Sequence, residues 1–148
     1  MDTSEWMQNE YLISSDRSRI DIDMVHDFLS HSYWAEKIPK DVVQKSIENS
    51  FCFGMFKDHE QVGFARVITD FATFAYLADV FILPGHRGKG LSKWLMKVII
   101  DHPRLQGLRR FTLATRDAHG LYTQFGFTPF DKPERWMQIH NPDVYKKN

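Results

Sequence analysis

Apolar residues recur along this chain at two periods, and the switches between them mark out its elements. Residues 1–9 are polar and read as a loosely held leader; Tyr11, Leu12 and Ile13 then form a short first strand. From Ile20 to His31 the apolar positions Ile22, Val25 and Leu29 fall at helical spacing, with Asp21 placed as N-cap and Tyr33 continuing the stripe. Pro39 suits the first turn of a second helix carrying Val42, Val43 and Ile47. Phe51 to Phe56 and Val62 to Thr69 read as strands joined by the turn Asp58-His59-Glu60. Phe74 to Leu83 is nearly apolar on both faces, which predicts a central strand.

Leu91, Trp94, Leu95, Val98 and Ile99 then give an i, i+3, i+4, i+7, i+8 stripe, with Lys93 and Lys97 on another face and Pro103 just beyond the end. Arg109 to Thr115 alternates as a strand. Asp117 is placed to cap a short helix running to Phe125, Gly126 fits the left-handed position after it, and Phe127 offers the hydrophobic cap contact. Thr128 to Phe130 and Trp136 to Ile139 read as a last pair of short strands. This order predicts a mixed α/β sandwich, a central sheet with helices on both sides, in a single domain over residues 1–148.

The chemistry concentrates between the apolar strand and the amphipathic helix, in FILPGHRGKGLSKW. Gly85, Gly88 and Gly90 let backbone N–H groups turn inward, the helix that follows aims its positive dipole end at the same point, and Arg87 and Lys89 add charge. A pyrophosphate-bearing ligand fits such a turn. A P-loop would need lysine where Leu91 stands, and a dinucleotide fingerprint would need glycine where Lys93 stands. Arg87 and Lys89 read alternatively as a solvated basic turn, and Gly85 as ordinary turn punctuation after Pro84.

Composition narrows the setting. A formal net charge of +0 gives no global reason to expect nucleic acid, and 43% hydrophobic residues argue against disorder. The longest apolar stretch, Phe71 to Leu83, is broken by Asp79 and too short to span a bilayer, so no membrane partner is expected. The start MDTSEWMQNE lacks the basic-then-apolar pattern of a signal peptide, and Cys52 stands alone, which together suggest a cytoplasmic protein. The seven histidines show no metal-ligand spacing, so no metal is expected. Exposed aromatics leave a homodimer open.

The loop resembles the acyl-CoA-binding motif Arg/Gln-x-x-Gly-x-Gly/Ala of the GCN5-related N-acetyltransferases (GNAT), with Arg87 and Gly90 in place and Ser92 where Gly or Ala is usual. Leu121-Tyr122 followed by Gly126-Phe127 resembles the family's C-terminal Tyr…Gly-Phe signature, and the element order is similar from Tyr11 to Ile139. The resemblance implies a mostly antiparallel sheet and acetyl-CoA as acyl donor. It implies a pantetheine arm along the backbone of Phe81, Ile82 and Leu83, and phosphates on N–H groups from Arg87 through Gly88, Lys89, Gly90 and Leu91 to Ser92. Thr115 would touch the cofactor, and Tyr122 would protonate the leaving thiolate. The acceptor would be the amine of a small molecule or protein, attacked directly, with no covalent enzyme intermediate. A CoA-binding sensor without turnover is the alternative of a different class.

The base is open. Asp79 is an acid inside an apolar strand and needs a reason to be there: it could accept the amine proton, bond a neighbouring loop, or pair with Arg66. His119 is a rival. Tyr33 and Trp34, beside Glu36, could form an aromatic floor for the amine, though Tyr33 fits the core equally well. Asp70 is a second candidate amine-facing acid.

Overall fold

The computed structural model describes residues 3–146. Six strands form one sheet in chain order: β1 (Glu5–Gln8), β2 (Tyr11–Ser14), β3 (Phe51–Lys57), β4 (Glu60–Thr69), β5 (Phe74–Ile82) and β6 (Arg110–Leu113). The first five run antiparallel to their neighbours, and β6 joins β5 in parallel. Four helices accompany them: α1 (Ile22–Ser30), α2 (Lys40–Glu48), α3 (Leu91–Ile100) and the short α4 (His119–Thr123). The fold is the central sheet with helices on both sides that the pattern predicts, mixed and mostly antiparallel as the family resemblance implies.

Strand alternation divides the core in two. Phe51, Phe53 and Met55 point to one face, where they meet Leu91, Leu95, Met96 and Ile99 of α3. Cys52, Phe64 and Phe81 lie in the second cluster, with Val25 and Leu29 of α1 and Val43 and Ile47 of α2. The apolar stripes of the helices are thereby spent on opposite sides of the sheet. Asp21 caps α1 by accepting the Met24 N–H at 3.1 Å. Asp58 and His59, both at positive φ, form the tight β3–β4 turn whose twist suits a hairpin.

Three expectations are corrected. Within the supposed leader, Glu5–Gln8 pairs with β2 as an edge strand, because Trp6 packs its ring near Phe53 and His102; residues 1–2 lie outside the described residues. Thr128–Phe130 and Trp136–Ile139 form no strand pair; only a 3-10 turn over Pro133–Arg135 interrupts this stretch. Asp117 does not cap α4: Thr115 Oγ1 accepts the Ala118 N–H at 3.0 Å instead, while Asp117 faces Arg116. The end of α4 follows the pattern. Gly126 has φ +93°, Gly126 N–H donates to Thr123 O, Phe127 N–H reaches back to Tyr122 O, and the Tyr122 and Phe127 rings meet edge to face.

Candidate active site

The site exists because β5 and β6 part company. Their parallel register holds from Phe74–Arg110 to Leu77–Leu113, and beyond it β5 continues alone to Ile82 while the chain after β6 turns into α4. A cleft of about 540 Å³ opens at the fork, lined by β5, by residues 113–118, by Tyr122, and by Tyr33 and Trp34 from beyond α1. That volume falls within the range of small-ligand sites.

A bulge shapes the β5 wall. Arg66 pairs with Ala78 and Phe64 with Phe81, so Asp79 and Val80 together oppose Ala65. Asp79 takes the extra position with φ +55°, a backbone conformation that aspartate tolerates better than most residues. Its Oδ2 accepts from Arg66 Nε at 2.8 Å, and its Oδ1 accepts from Trp34 Nε1 at 2.9 Å. Arg66 also donates Nη1 to Ser50 Oγ. The side chains of Arg66 and Asp79 are only 15% and 10% exposed, so this is a largely desolvated pair with both carboxylate oxygens engaged.

Opposite stand the aromatic residues. Trp34 meets Tyr33 edge to face at 5.1 Å, and the Arg116 guanidinium lies 3.8 Å over the Tyr33 ring. Tyr33 is half-exposed beyond the end of α1 and belongs to the cleft, not to the α1 stripe. Tyr122 is partly buried, and burial first, then Tyr33, holds its hydroxyl above the ordinary phenol value. It therefore keeps its proton at neutral pH. Thr115 lines the same cleft.

Past the bulge, Leu83 N–H donates to Val62 O, so strand alternation turns the Ile82 N–H and C=O to the opposite edge of β5. The Ile82 carbonyl there accepts from Arg87 Nε at 2.9 Å. The loop then rises through Gly88 (φ +80°) to Gly90 (φ +75°), the N-cap of α3, with no side chain capping the helix. A Cβ at either glycine would meet nothing within 4 Å, so the loop backbone is open on its outer side. The N–H groups of the first turn, including Leu91 and Ser92, have no preceding carbonyl to bond. Lys89 Nζ reaches the Tyr11 hydroxyl at 3.4 Å, and His86 Nδ1 lies 2.9 Å from the same oxygen, tethering the loop to β2.

The structure thus gathers Tyr33, Trp34, Asp79, Thr115 and Tyr122 at one cleft and places the loop residues at the head of α3. It does not bring Asp70 there. Asp70 Oδ1 accepts the N–H groups of Ala72, Thr73 and Phe74, and Oδ2 accepts from Thr73 Oγ1, closing the β4–β5 loop away from the fork. Those bonds hold its carboxyl well below the usual range. His119 lines a groove on the far side of α4. Two cleft residues carry no local signal in the sequence: Arg116, whose stacking depends on Tyr33, and Tyr145, which arrives from the end of the chain. Among the described residues no group of three or more His, Cys, Asp or Glu side chains could hold a metal, and no helix is long and apolar enough to cross a membrane.

Comparison with known proteins bears on the family and the fold. The sequence model of the acetyltransferase (GNAT) family matches residues 18–127. A Gibberella zeae protein named as an acetyltransferase, FG08082, is 34% identical, the match covering 79% of this chain and 78% of that one. A crystal structure from Xanthomonas campestris pv. campestris, described as an acetyltransferase of the GNAT family, is 52% identical with a TM-score of 0.92, covering 95% of this chain and all of the other. A GNAT family acetyltransferase from Elizabethkingia anophelis, solved with acetyl-CoA bound, shares the fold at a TM-score of 0.63 and 13% identity, over 84% of this chain and 80% of that one.

Proposed function

Since the chain belongs to the GNAT acetyltransferase family, we propose that it transfers an acetyl group from acetyl-CoA to a primary amine held in the cleft between β5 and β6. The observation that carries this reading is the fork itself, which leaves one edge of β5 unpaired directly before an uncapped helix N-terminus. When bound, acetyl-CoA supplies the activated thioester acyl group. The chain's own residues fit it: the open glycine loop and the free N–H groups of α3 suit a pyrophosphate, with Arg87 and Lys89 adding positive charge.

At the reacting end, the Ile82 N–H faces the fork and is the donor suited to polarising a carbonyl oxygen laid along β5. Tyr122, protonated and in the cleft wall, is the general acid. Asp79 acts best as a positioning residue, since both oxygens are committed to Arg66 and Trp34; this is the pairing with Arg66 that the sequence also allowed. Trp34 and Tyr33 form the acceptor wall. Cys52 is fully buried and its thiol is pushed up to about 12 by burial, which supports direct attack by the amine without a thiol intermediate. A lone buried thiol also suits the reducing cytoplasm.

Two measurements on the purified chain test this. Thermal unfolding with acetyl-CoA, CoA and ATP should show a clear upward shift for the two CoA species alone, about 2.7 kcal/mol of stabilisation at a hundredfold excess over Kd. Free-thiol release from acetyl-CoA should then appear with members of a primary-amine panel. No shift with either CoA species sinks the proposal, and binding without turnover across the panel selects a CoA sensor instead.

A further inference from the structure

The charges that line the cleft between β5 and β6 are not all committed, and the ones left over select a ligand. Four charged side chains line it: Arg66, Asp79, Arg116 and Asp117. Asp79 gives one oxygen to Arg66 and the other to Trp34 in a largely desolvated pair, so it offers no carboxylate to a second cation. Arg116 and Asp117 stand differently. Their contact is 3.5 Å long, and the side chains are 65% and 67% exposed, so water screens the pair and leaves both charges largely unneutralised.

Of these two, Arg116 is the one held in place. Its guanidinium lies 3.8 Å over the Tyr33 ring, and its backbone N–H donates to the Tyr33 hydroxyl at 3.4 Å. Tyr33 in turn meets Trp34 edge to face, and Asp79 fixes Trp34. Stacking covers one face of the guanidinium and leaves the N–H groups along its edge free to donate. The Tyr33 hydroxyl, which accepts from Arg116, keeps its own hydrogen for a further bond. The rim of the cleft thus presents a preorganised set of donors. Asp117 has no partner among the described residues except Arg116.

We infer that the acceptor is an amine that also carries a carboxylate, and that Arg116, with the Tyr33 hydroxyl beside it, binds that carboxylate at the rim of the cleft. The inference rests on the acetyl-transfer reading and names its substrate class. A planar guanidinium meets a carboxylate through two parallel N–H···O bonds, a geometry that a point charge does not offer. Polyamines and other polycations fit poorly, because Asp79 is committed and Arg116 repels them. Trp34, Tyr76 and Tyr145 in the cleft walls suit an apolar body. The arrangement also eases the chemistry. The amine must attack unprotonated, and a carboxylate within the acceptor favours its ammonium form. Pairing that carboxylate with Arg116 removes much of this effect, and Asp79, engaged twice, does not restore it.

Matched amines on the full chain test it. Free-thiol release from acetyl-CoA is followed with the free amino acids phenylalanine and lysine, their amides, their decarboxylated counterparts phenethylamine and cadaverine, and spermidine. The acids should exceed the amides and decarboxylated amines in kcat/KM by roughly tenfold or more, the worth of a hydrogen bond to a charged group, with the difference carried by KM. Arg116→Gln keeps a stem against Tyr33 and removes the charge. It should unfold cooperatively and bring the acid-to-amide ratio close to one, and Arg116→Lys should restore part of that ratio. Thermal shift with the same acids and amides reads the subsite without turnover. Turnover of amides or spermidine equal to that of the acids overturns the inference while leaving acetyl transfer intact, as does an acid preference indifferent to Arg116→Gln. A panel in which no acid binds or reacts overturns it too. Binding of acids that depends on Arg116, in a chain that neither CoA species stabilises, supports the carboxylate subsite and removes the acetyl-transfer reading instead.

Discussion

Trp34 and Asp79, 45 positions apart in the chain, are joined by an indole N–H to carboxylate bond of 2.9 Å across the mouth of the cleft. The bond locks the larger wall of the acceptor site to the bulge in β5. Asp79→Asn keeps a side chain that tolerates positive φ and can still accept from Trp34, but it strips Arg66 of its counter-charge. Breaking a largely buried pair in this way costs about 3–5 kcal/mol. Calorimetry should therefore show a much lower Tm, while the pH dependence of kcat should stay unchanged. Loss of the acidic limb of that profile would make Asp79 the base. Trp34→Phe removes the donor and part of the aromatic wall and should raise the KM for the amine with little effect on the KM for acetyl-CoA.

Tyr122→Phe removes the proton that burial keeps on the phenol. kcat should fall on the order of 100-fold, and the alkaline decline of kcat set by the tyrosine should disappear. The thermal shift with CoA should persist, since the ring and its contact with Phe127 remain.

The glycines of the loop are not equivalent. Gly88 and Gly90 sit at φ +80° and +75°, whereas Gly85 has no such constraint, and all three have open space where a Cβ would go. Alanine at 88 or 90 should cost about 1 kcal/mol or more of stability through the backbone alone and weaken CoA binding at least tenfold by isothermal titration. Gly85→Ala should be nearly silent in both.

His102 gives the fold a pH dependence of known sign. Its Nδ1 accepts the Arg104 N–H at 3.0 Å, and burial, then Arg104, holds the imidazole below its ordinary value. The unfolded chain therefore takes up this proton first. The contribution is complete above the unfolded value of about 6.5 and is lost as pH falls below it. Tm measured from pH 7.5 to 5 should drop, and His102→Asn, which can still cap the turn, should flatten that slope while lowering Tm at pH 7.5.

Local periodicity carried much of the fold because each stripe of apolar residues needs one buried face. The α1 cap at Asp21, the α3 stripe and the turn at Gly126 all stand where the pattern puts them. Asp70 and Asp79 show where such reasoning stops. Asp70 closes its own loop on partners two to four residues on, a local turn bond open to any aspartate there, whereas Asp79 reaches Arg66 and Trp34, 13 and 45 positions away, which no local pattern specifies. The strands expected at Thr128–Phe130 and Trp136–Ile139 have the right alternation, but alternation specifies a face to be covered and not the chain that covers it.

The sequence by itself determined the elements from β2 to α4, the two apolar faces of the sheet and the open glycine turn at the head of α3. These depend on side-chain period and on backbone preferences acting over a few residues. Only the tertiary structure decided where β5 and β6 separate, which carboxylate is engaged, and that Tyr33, Trp34, Tyr122 and Tyr145 share one cleft. Those outcomes depend on strand register and on packing between distant segments, where a shift of a single residue, such as the bulge at Asp79, changes which side chains meet.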